Sequence, residues 1–587
     1  MVSNIGINNH GADIPEYVNT VSDGANMETF NIQEKSHHQD VLPNVQHEEE
    51  EEEEEDTDKN HFVAKIQNKM STMYMAHKKS IKYAAFVLGL LLYGAYLVYA
   101  MYWNIQGAIP LIVITAIVIF FVIYNLIKKY LGPKILKVLE KPIHFVETKW
   151  NKLRWVWYVI VAIAIIVFIG IDASRKPYKL VSVGGILAFL LLAFVGSKNA
   201  VKVNWSLVLS GMVLQFIFGL LILRWSYGLI AFQWLGDQIT MFLNYADFGS
   251  KFVFGDAYLE HMFVFQVMPV ITFFAAINAL LYHWGVIQVG IRKFGWMMQV
   301  IMGTIPTESF IAAANVFTGP TTSLLTVSGF LAKMTISELH SAMTSGFSTV
   351  DFGLLAVYTS FGVESSHLVA ASLMSAPAAL AIARLLYPET EKPSIAEVKD
   401  IKFEKSPARN SIDAFASGAS DSVPVVASIV VNLIAFVAML TFINATLSWL
   451  GERVSYPDLS FQLICSYLFW PLALLMGVDL KDCLKVGELI GSKIFLSDIV
   501  AYEKLGELIN NRKAGILPAM SIRSEVIATY ACCGFANFSD VGIVLGSVTA
   551  LAPSRKRDLA SVAIRAMVAG NLACFTTACI AGMLFDS

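Results

Sequence analysis

GTIPTESFIAAANVFTGPTTS (303–323) and GSKIFLSDIVAY (491–502) are two polar, glycine-bearing interruptions in a chain otherwise suited to lipid. Each precedes an apolar segment that opens on a Ser-Glu pair and later carries a Gly-Phe pair. These are Ser337-Glu338 with Gly346-Phe347, and Ser524-Glu525 with Gly534-Phe535. Hydrocarbon tolerates broken backbone and acids only where protein or a wet cavity encloses them. A broken pattern recurring in two halves marks a secondary transporter with a site near the bilayer midplane.

Composition agrees. Of 587 residues, 56% are hydrophobic and 15% charged, with a mean hydropathy of +0.58. That is a polytopic membrane protein. The net charge of −3 is set largely by the leading tail, with its unbroken run Glu48 to Glu55. Such a run repels itself and has nothing apolar to bury, so residues 1–80 read as a disordered, solvated cytosolic tail. The six cysteines match neither a zinc site nor a disulfide framework. They read as packing residues, with thiol-reagent access expected at Cys532-Cys533.

A membrane span needs about 20 apolar residues. Such segments are Tyr83–Tyr102, Ala108–Ile127, Trp155–Ile171, Leu180–Gly196, Leu207–Trp225 and Phe263–Trp284. Leu368–Leu386, Val423–Leu447, Phe461–Gly477 and Val562–Met583 follow in the second half. Ala342–Phe361 and Glu525–Ala550 are less greasy and read as spans facing protein or water. Segment 226–262 reads as an interfacial amphipathic helix with loops. Lys78, Lys79, Lys82 and the cluster from Lys128 to Arg154 place the N-terminus in the cytosol. The polar stretch between Pro388 and Ser422 is the natural seam between repeats. Asn444-Ala445-Thr446 and Asn537-Phe538-Ser539 fit the glycan acceptor pattern but sit in apolar context, so neither reads as glycosylated.

From about residue 180 onward the chain resembles the concentrative nucleoside transporters. The motifs are GSKIFLSDIVAY at 491–502, SIRSEVIATYACCGFAN at 521–537, APSRKRDLAS at 552–561, MTISELHSAMTSGFST at 334–349 and LMSAPAALAIARLLYPETEKP at 373–393. Residues 81–175 resemble the extra leading helices of the animal members, ahead of a transporter core at 176–587. The resemblance implies an all-α polytopic fold with inverted repeats. Two re-entrant helical hairpins at about 290–332 and 478–506 would belong to a transport domain moving against a scaffold. It also implies a homotrimer in the plasma membrane and elevator-like uptake of nucleosides driven by sodium. A proton is a second candidate coupling ion, since a buried carboxylate can titrate towards neutral pH. No cofactor or nucleic-acid partner is expected beyond the ion, the nucleoside and membrane lipid.

The same resemblance distributes the site. The family's sodium positions fall on Asn315, Thr318, Thr349 and Val350, all able to offer the oxygen that hard cations prefer. The family reads the base with a Gln-Thr-Glu triplet; here Gly319 is followed by Pro320, Thr321 and Thr322. Its ribose-binding Glu becomes Asp498, one methylene shorter. Asn537 matches a second ribose residue, and Asp540 stands where the family has Ser. At the first break an Ala-Gly pair becomes Asp351-Phe352, and Leu354 just beyond it completes the expected substrate set. Lys493 is the candidate partner for these acids, and Glu308 reads as a cap of the hairpin helix.

Two readings of the pocket follow from these departures. It takes nucleosides through the sugar with relaxed base preference, or the added acids attract a different polar or cationic solute. A non-transporting, receptor-like relative is the third. No phosphate-cradling loop, metal cluster or nucleophile motif supports an enzyme or an ATP-driven pump.

Overall fold

A computed structural model describes His77, Ser80, 83–84, 86–130, residue 160, 163–172, 174–259, 263–326, 331–393 and 406–586. The expected acidic tail, most of the basic cluster after the second span, and much of the seam between repeats lie outside these residues. The chain falls into two compact units, 1–143 and 144–587. In the first, α1 (Phe86–Trp103) and α2 (Ile105–Tyr130) are joined by Tyr93 Oη and Thr115 Oγ1 at 2.5 Å.

The second unit begins with α3 (Ile163–Asp172), α4 (Lys179–Val195) and α5 (Trp205–Gly219). A π-helical turn, Leu220–Arg224, carries α5 on to α6 (Ser226–Leu243) and α7 (Ala246–Phe254). Then come α8 (Met268–His283), α9 (Val286–Met302), α10 (Pro306–Thr326), α11 (Ile336–Phe347), α12 (Phe352–Ser360) and α13 (Ser365–Leu386). The rest is α14 (Ser411–Glu452), α15 (Phe461–Leu468), α16 (Trp470–Met476), α17 (Cys483–Phe495), α18 (Asp498–Ala514), α19 (Ile522–Cys532), α20 (Phe538–Leu551) and α21 (Lys556–Leu584).

Burial sorts these helices. The apolar windows of α13 and α21 are each 94% inside the molecule, whereas that of α14 has none of its residues buried. Val431, Ile434 and Phe442 on α14 are exposed, as an acyl-chain environment allows. α14 lies tight along α8: a Cβ on Gly418 would come within 2.7 Å of the Ala275 carbonyl oxygen, so only glycine fits. Ser422 Oγ reaches Thr272 Oγ1 at 3.1 Å across the same seam.

Three expected spans are corrected: Ala342–Phe361 breaks at Ser348–Val350, Glu525–Ala550 breaks around Gly534, and the third breaks at Phe469. Phe461–Gly477 is two short helices, divided at Phe469 and restarted with Pro471 in the first turn of α16. Proline lacks an N–H and suits a first turn rather than a helix interior. Conversely, the span placed at Val423–Leu447 belongs to a 42-residue helix.

Candidate functional site

α10 reverses direction within its own length. Gly319 sits at φ 73° and ψ 173°, outside helical geometry. Along a straight helix, residues eight apart stand about 12 Å from each other. Yet Ser323 Oγ donates to Asn315 Oδ1 at 2.5 Å. The chain therefore doubles back at Gly319-Pro320, within the first polar interruption. A side chain at 319 would be forced into a backbone region essentially confined to glycine and would meet the Asp351 carboxylate at 2.7 Å. The second interruption turns at Leu496-Ser497. Ser497 Oγ caps α18 by accepting from Ile499 N, and Lys504 pairs with Glu488 across the two arms.

Each turn faces a helix that breaks and restarts. α11 opens on a capping box between Thr335 and Glu338, unwinds over Ser348–Val350, and resumes as α12 with Asp351 accepting from Leu354 N at 3.0 Å. α19 opens on Ser521, unwinds around Gly534 at φ 101°, and resumes as α20 capped by Asn537. The two Gly-Phe pairs thus mark the two breaks. The free N–H and C=O groups at such breaks suit ions and hydroxylated solutes.

Two of the four expected sodium residues meet at Ser345. Asn315 Nδ2 donates to Ser345 Oγ at 2.7 Å, and Thr349 Oγ1 donates to the Ser345 carbonyl at 2.9 Å. Thr318 Oγ1 donates to the Ala314 carbonyl at 3.0 Å, and the Val350 carbonyl accepts from Ser372 at 2.9 Å. A hydroxyl that gives its proton to a helix carbonyl keeps its lone pairs for a cation. The donor set is all oxygen and fits sodium in chemistry. Among the described residues no group of three or more His, Cys, Asp or Glu is arranged to hold a metal. Gly346 makes the docking possible, because a Cβ there would lie 2.7 Å from Pro320 Cβ.

Three of the seven expected substrate residues line one cavity. Leu354, Asp498 and Asp540 line it with Leu496, Ser497, Phe535 and Ser539, while Ile429, Asn432, Leu433 and Phe436 of α14 close it. Its volume of about 40 Å³ holds a few waters. Asp498 is buried, accepting from Tyr358 Oη at 2.5 Å and Ser497 Oγ at 3.0 Å. Asn537 and Asp540 cap each other: Asn537 Oδ1 accepts from Asp540 N at 2.7 Å, and its Nδ2 donates to Asp540 Oδ2 at 2.5 Å. Pro320 and Thr322 lie half-buried at the first turn, and the side chain of Thr321 lies outside the described residues.

Two expectations shift, and a third, the Glu308 cap, gains a partner. Among the described residues Lys493 forms no ion pair with a carboxylate; its Nζ donates to Asn571 Oδ1 at 2.7 Å, and Asn571 Nδ2 holds the Ala536 carbonyl in the second break at 2.9 Å. The Asp498 and Asp540 charges lie within its electrostatic reach. Cys532 and Cys533 are fully buried, so the expected reagent access is absent in this conformation. Glu308 caps α10 by accepting from Ile305 N at 3.0 Å, and it also pairs with buried Arg384 at 2.8 Å. Arg384 reaches on to Ser337 at 2.6 Å and Glu389 at 3.0 Å, tying α10, α11 and α13 together. Sequence reasoning missed Tyr358, Ser345, Arg384 and the Asn432 wall. Only the small-residue run Thr344-Ser345-Gly346 hinted at a close approach.

Two capped helix breaks, two reversed helices and an oxygen-lined site inside an apolar bundle define a secondary-carrier type of membrane protein. Comparison narrows that class. Residues 184–257 match the family described as Na+ dependent nucleoside transporter N-terminus, 367–582 match its C-terminus, and 264–365 match the one described as nucleoside recognition. Solute carrier family 28 member 3 of Rattus norvegicus is 48% identical over 492 residues, covering 82% of this chain and 70% of the relative. Sodium/nucleoside cotransporter 1 of Homo sapiens is 43% identical over 506 residues, covering 85% and 78%. Among solved structures, CNTnw in an inward-facing substrate-bound state matches at a TM-score of 0.65 and 32% identity, over 69% of this chain and 98% of that one. This chain belongs to the concentrative, sodium-dependent nucleoside transporter family.

Proposed function

We propose that this chain imports nucleosides across a membrane, coupled to an inward sodium gradient. The observation that carries this is the family match across both halves, residues 184–582, over the segments that build the site. The chemistry supports it. Asn315, Thr318, Thr349 and Val350 would hold sodium through neutral oxygens. Asp498, Asn537 and Asp540, with Leu354, Pro320, Thr321 and Thr322, would line the solute site. An ion bound beside the first break biases the same backbone that positions the hairpin tip, so ion and solute binding favour each other.

The arms of α10 and those of α17 and α18 act as re-entrant hairpins of inverted repeats. They sit in a core of about 176–587, behind extra helices at 81–175 and a cytosolic tail. The cavity supports relative movement: ligand pockets run to about 300–1,000 Å³, far above the present volume. Admitting a nucleoside requires α14 and the hairpins to part, as an elevator motion of a transport domain against a scaffold would achieve. The exposed apolar face of α14 suits lipid and neighbouring copies in a homotrimer. The plasma membrane is the proposed location, and the proposal has the chain acting as a carrier rather than an enzyme.

The test is uptake of radiolabelled uridine and adenosine into transport-null cells, with sodium replaced by choline and external pH varied. Saturable, sodium-dependent accumulation is expected. Uptake driven by pH alone would make the proton the coupling ion, and no uptake under any condition would overturn the nucleoside assignment.

A further inference from the structure

Two carboxylates line the solute cavity, and a third stands at the neighbouring first break. Asp498 opens α18, Asp540 lies in the first turn of α20, and Asp351 caps α12 against the Gly319 turn. Each acts electrostatically on the others. Among the described residues no basic side chain forms an ion pair with any of them. Lys493 acts on two of them from its seat on Asn571. The balance is three acids against one lysine.

Their oxygens are not equally engaged. Both oxygens of Asp498 accept from inside the protein, from Tyr358 and Ser497. Asp351 spends Oδ1 on Leu354 N and turns Oδ2 towards Gly319. Asp540 gives Oδ2 to Asn537, while its Oδ1 accepts no hydrogen bond among the described residues; the residue lines the cavity opposite Asn432. An ionised carboxylate only accepts, so whatever completes Asp540 must donate. A charged donor completes it best, because it also offsets an acid held away from water.

We infer that Asp540 is a specificity-determining residue that favours nucleosides carrying an ammonium group over their neutral parents. This rests on the reading of the cavity as the nucleoside site. Asp498, with both oxygens already engaged by internal donors, sets the geometry of that wall, and Asp540 supplies the acceptor oxygen left without one.

The experiment is competition against tritiated adenosine uptake at fixed sodium, with surface abundance measured by biotinylation. The competitors are 3′-amino-3′-deoxyadenosine and 5′-amino-5′-deoxyadenosine, each beside adenosine, at a pH where the amines are protonated. In the wild type at least one amino analogue should half-inhibit at about one tenth the adenosine concentration, the margin between charged and neutral hydrogen bonds. Asp540→Asn should bring that ratio to about one, and Asp540→Glu should retain it. Neither analogue outperforming adenosine in the wild type overturns the inference, whatever the variants do. So does an advantage that persists undiminished in Asp540→Asn. Wild type that reaches the surface but takes up no adenosine overturns the nucleoside reading as well, which separates the two failures.

Discussion

Tyr358 and Asp498 are 140 positions apart in sequence and joined by a 2.5 Å hydrogen bond, with the tyrosine hydroxyl donating. The Tyr358 ring also stacks on Tyr502, centroids 4.1 Å apart. The helix restarted after the first break is thereby fastened to the first turn of α18. Both rings are fully buried. A hydrogen bond to a charged group contributes about 1.5–3 kcal/mol. Tyr358→Phe keeps the stacking and removes the donor, so the KM for nucleoside should rise by roughly tenfold or more at unchanged surface abundance. Saturation kinetics normalised to surface protein check this; an unchanged KM would mean that the orientation of Asp498 does not matter to the solute.

Asn315 bonds Ser323 with its oxygen and Ser345 with its amide. Asn315→Ala removes the oxygen offered to sodium and the clasp that holds the reversed arm. The sodium concentration for half-maximal uptake should rise by on the order of tenfold, equivalent to about 1.4 kcal/mol. Sodium activation curves at saturating nucleoside measure it.

Two glycines with positive φ should differ in tolerance. At Gly319 the obstacle to a Cβ is the Asp351 side chain at 2.7 Å, which can swing aside. At Gly534 it is the Phe347 carbonyl oxygen at 2.5 Å, which is backbone and cannot. Both substitutions also carry a positive-φ backbone cost of roughly 1–3 kcal/mol. Gly534→Ala should therefore abolish uptake, and Gly319→Ala should leave a measurable fraction. Parallel uptake assays distinguish them.

Arg384 is 4% exposed and Glu308 not at all. Removing one partner of a buried pair strands the other charge and costs about 3–5 kcal/mol. Arg384→Ala should lower the unfolding temperature of the detergent-solubilised protein. Arg384→Lys should recover only part of it, because lysine lacks the fork that spans Glu308, Ser337 and Glu389.

What could be read from the chain alone followed physical locality. The long apolar segments at α5, α8 and α13 are legible because a helix buries or exposes its own neighbours at short range. The polar interruptions at 303–323 and 491–502 were legible because glycine and polar residues have few other uses in hydrocarbon, whereas the break at Thr349-Val350 was expected only through the family resemblance. Phe461–Gly477 misled because its apolar character is continuous across Phe469, where hydropathy registers no kink. The Tyr358 bond to Asp498 and the reach of Arg384 to Glu308 were beyond reading, because tertiary packing alone sets such distant pairs. Asp540 and Asn537 were picked out as site residues by resemblance, but their mutual capping shows only in the fold.

The most direct measurement uses purified protein in proteoliposomes loaded with potassium and diluted into sodium, with tritiated uridine outside. The account predicts internal uridine above the external concentration, lost when an ionophore collapses the sodium gradient. Equilibration without accumulation, or accumulation that is indifferent to sodium and to pH, would contradict it.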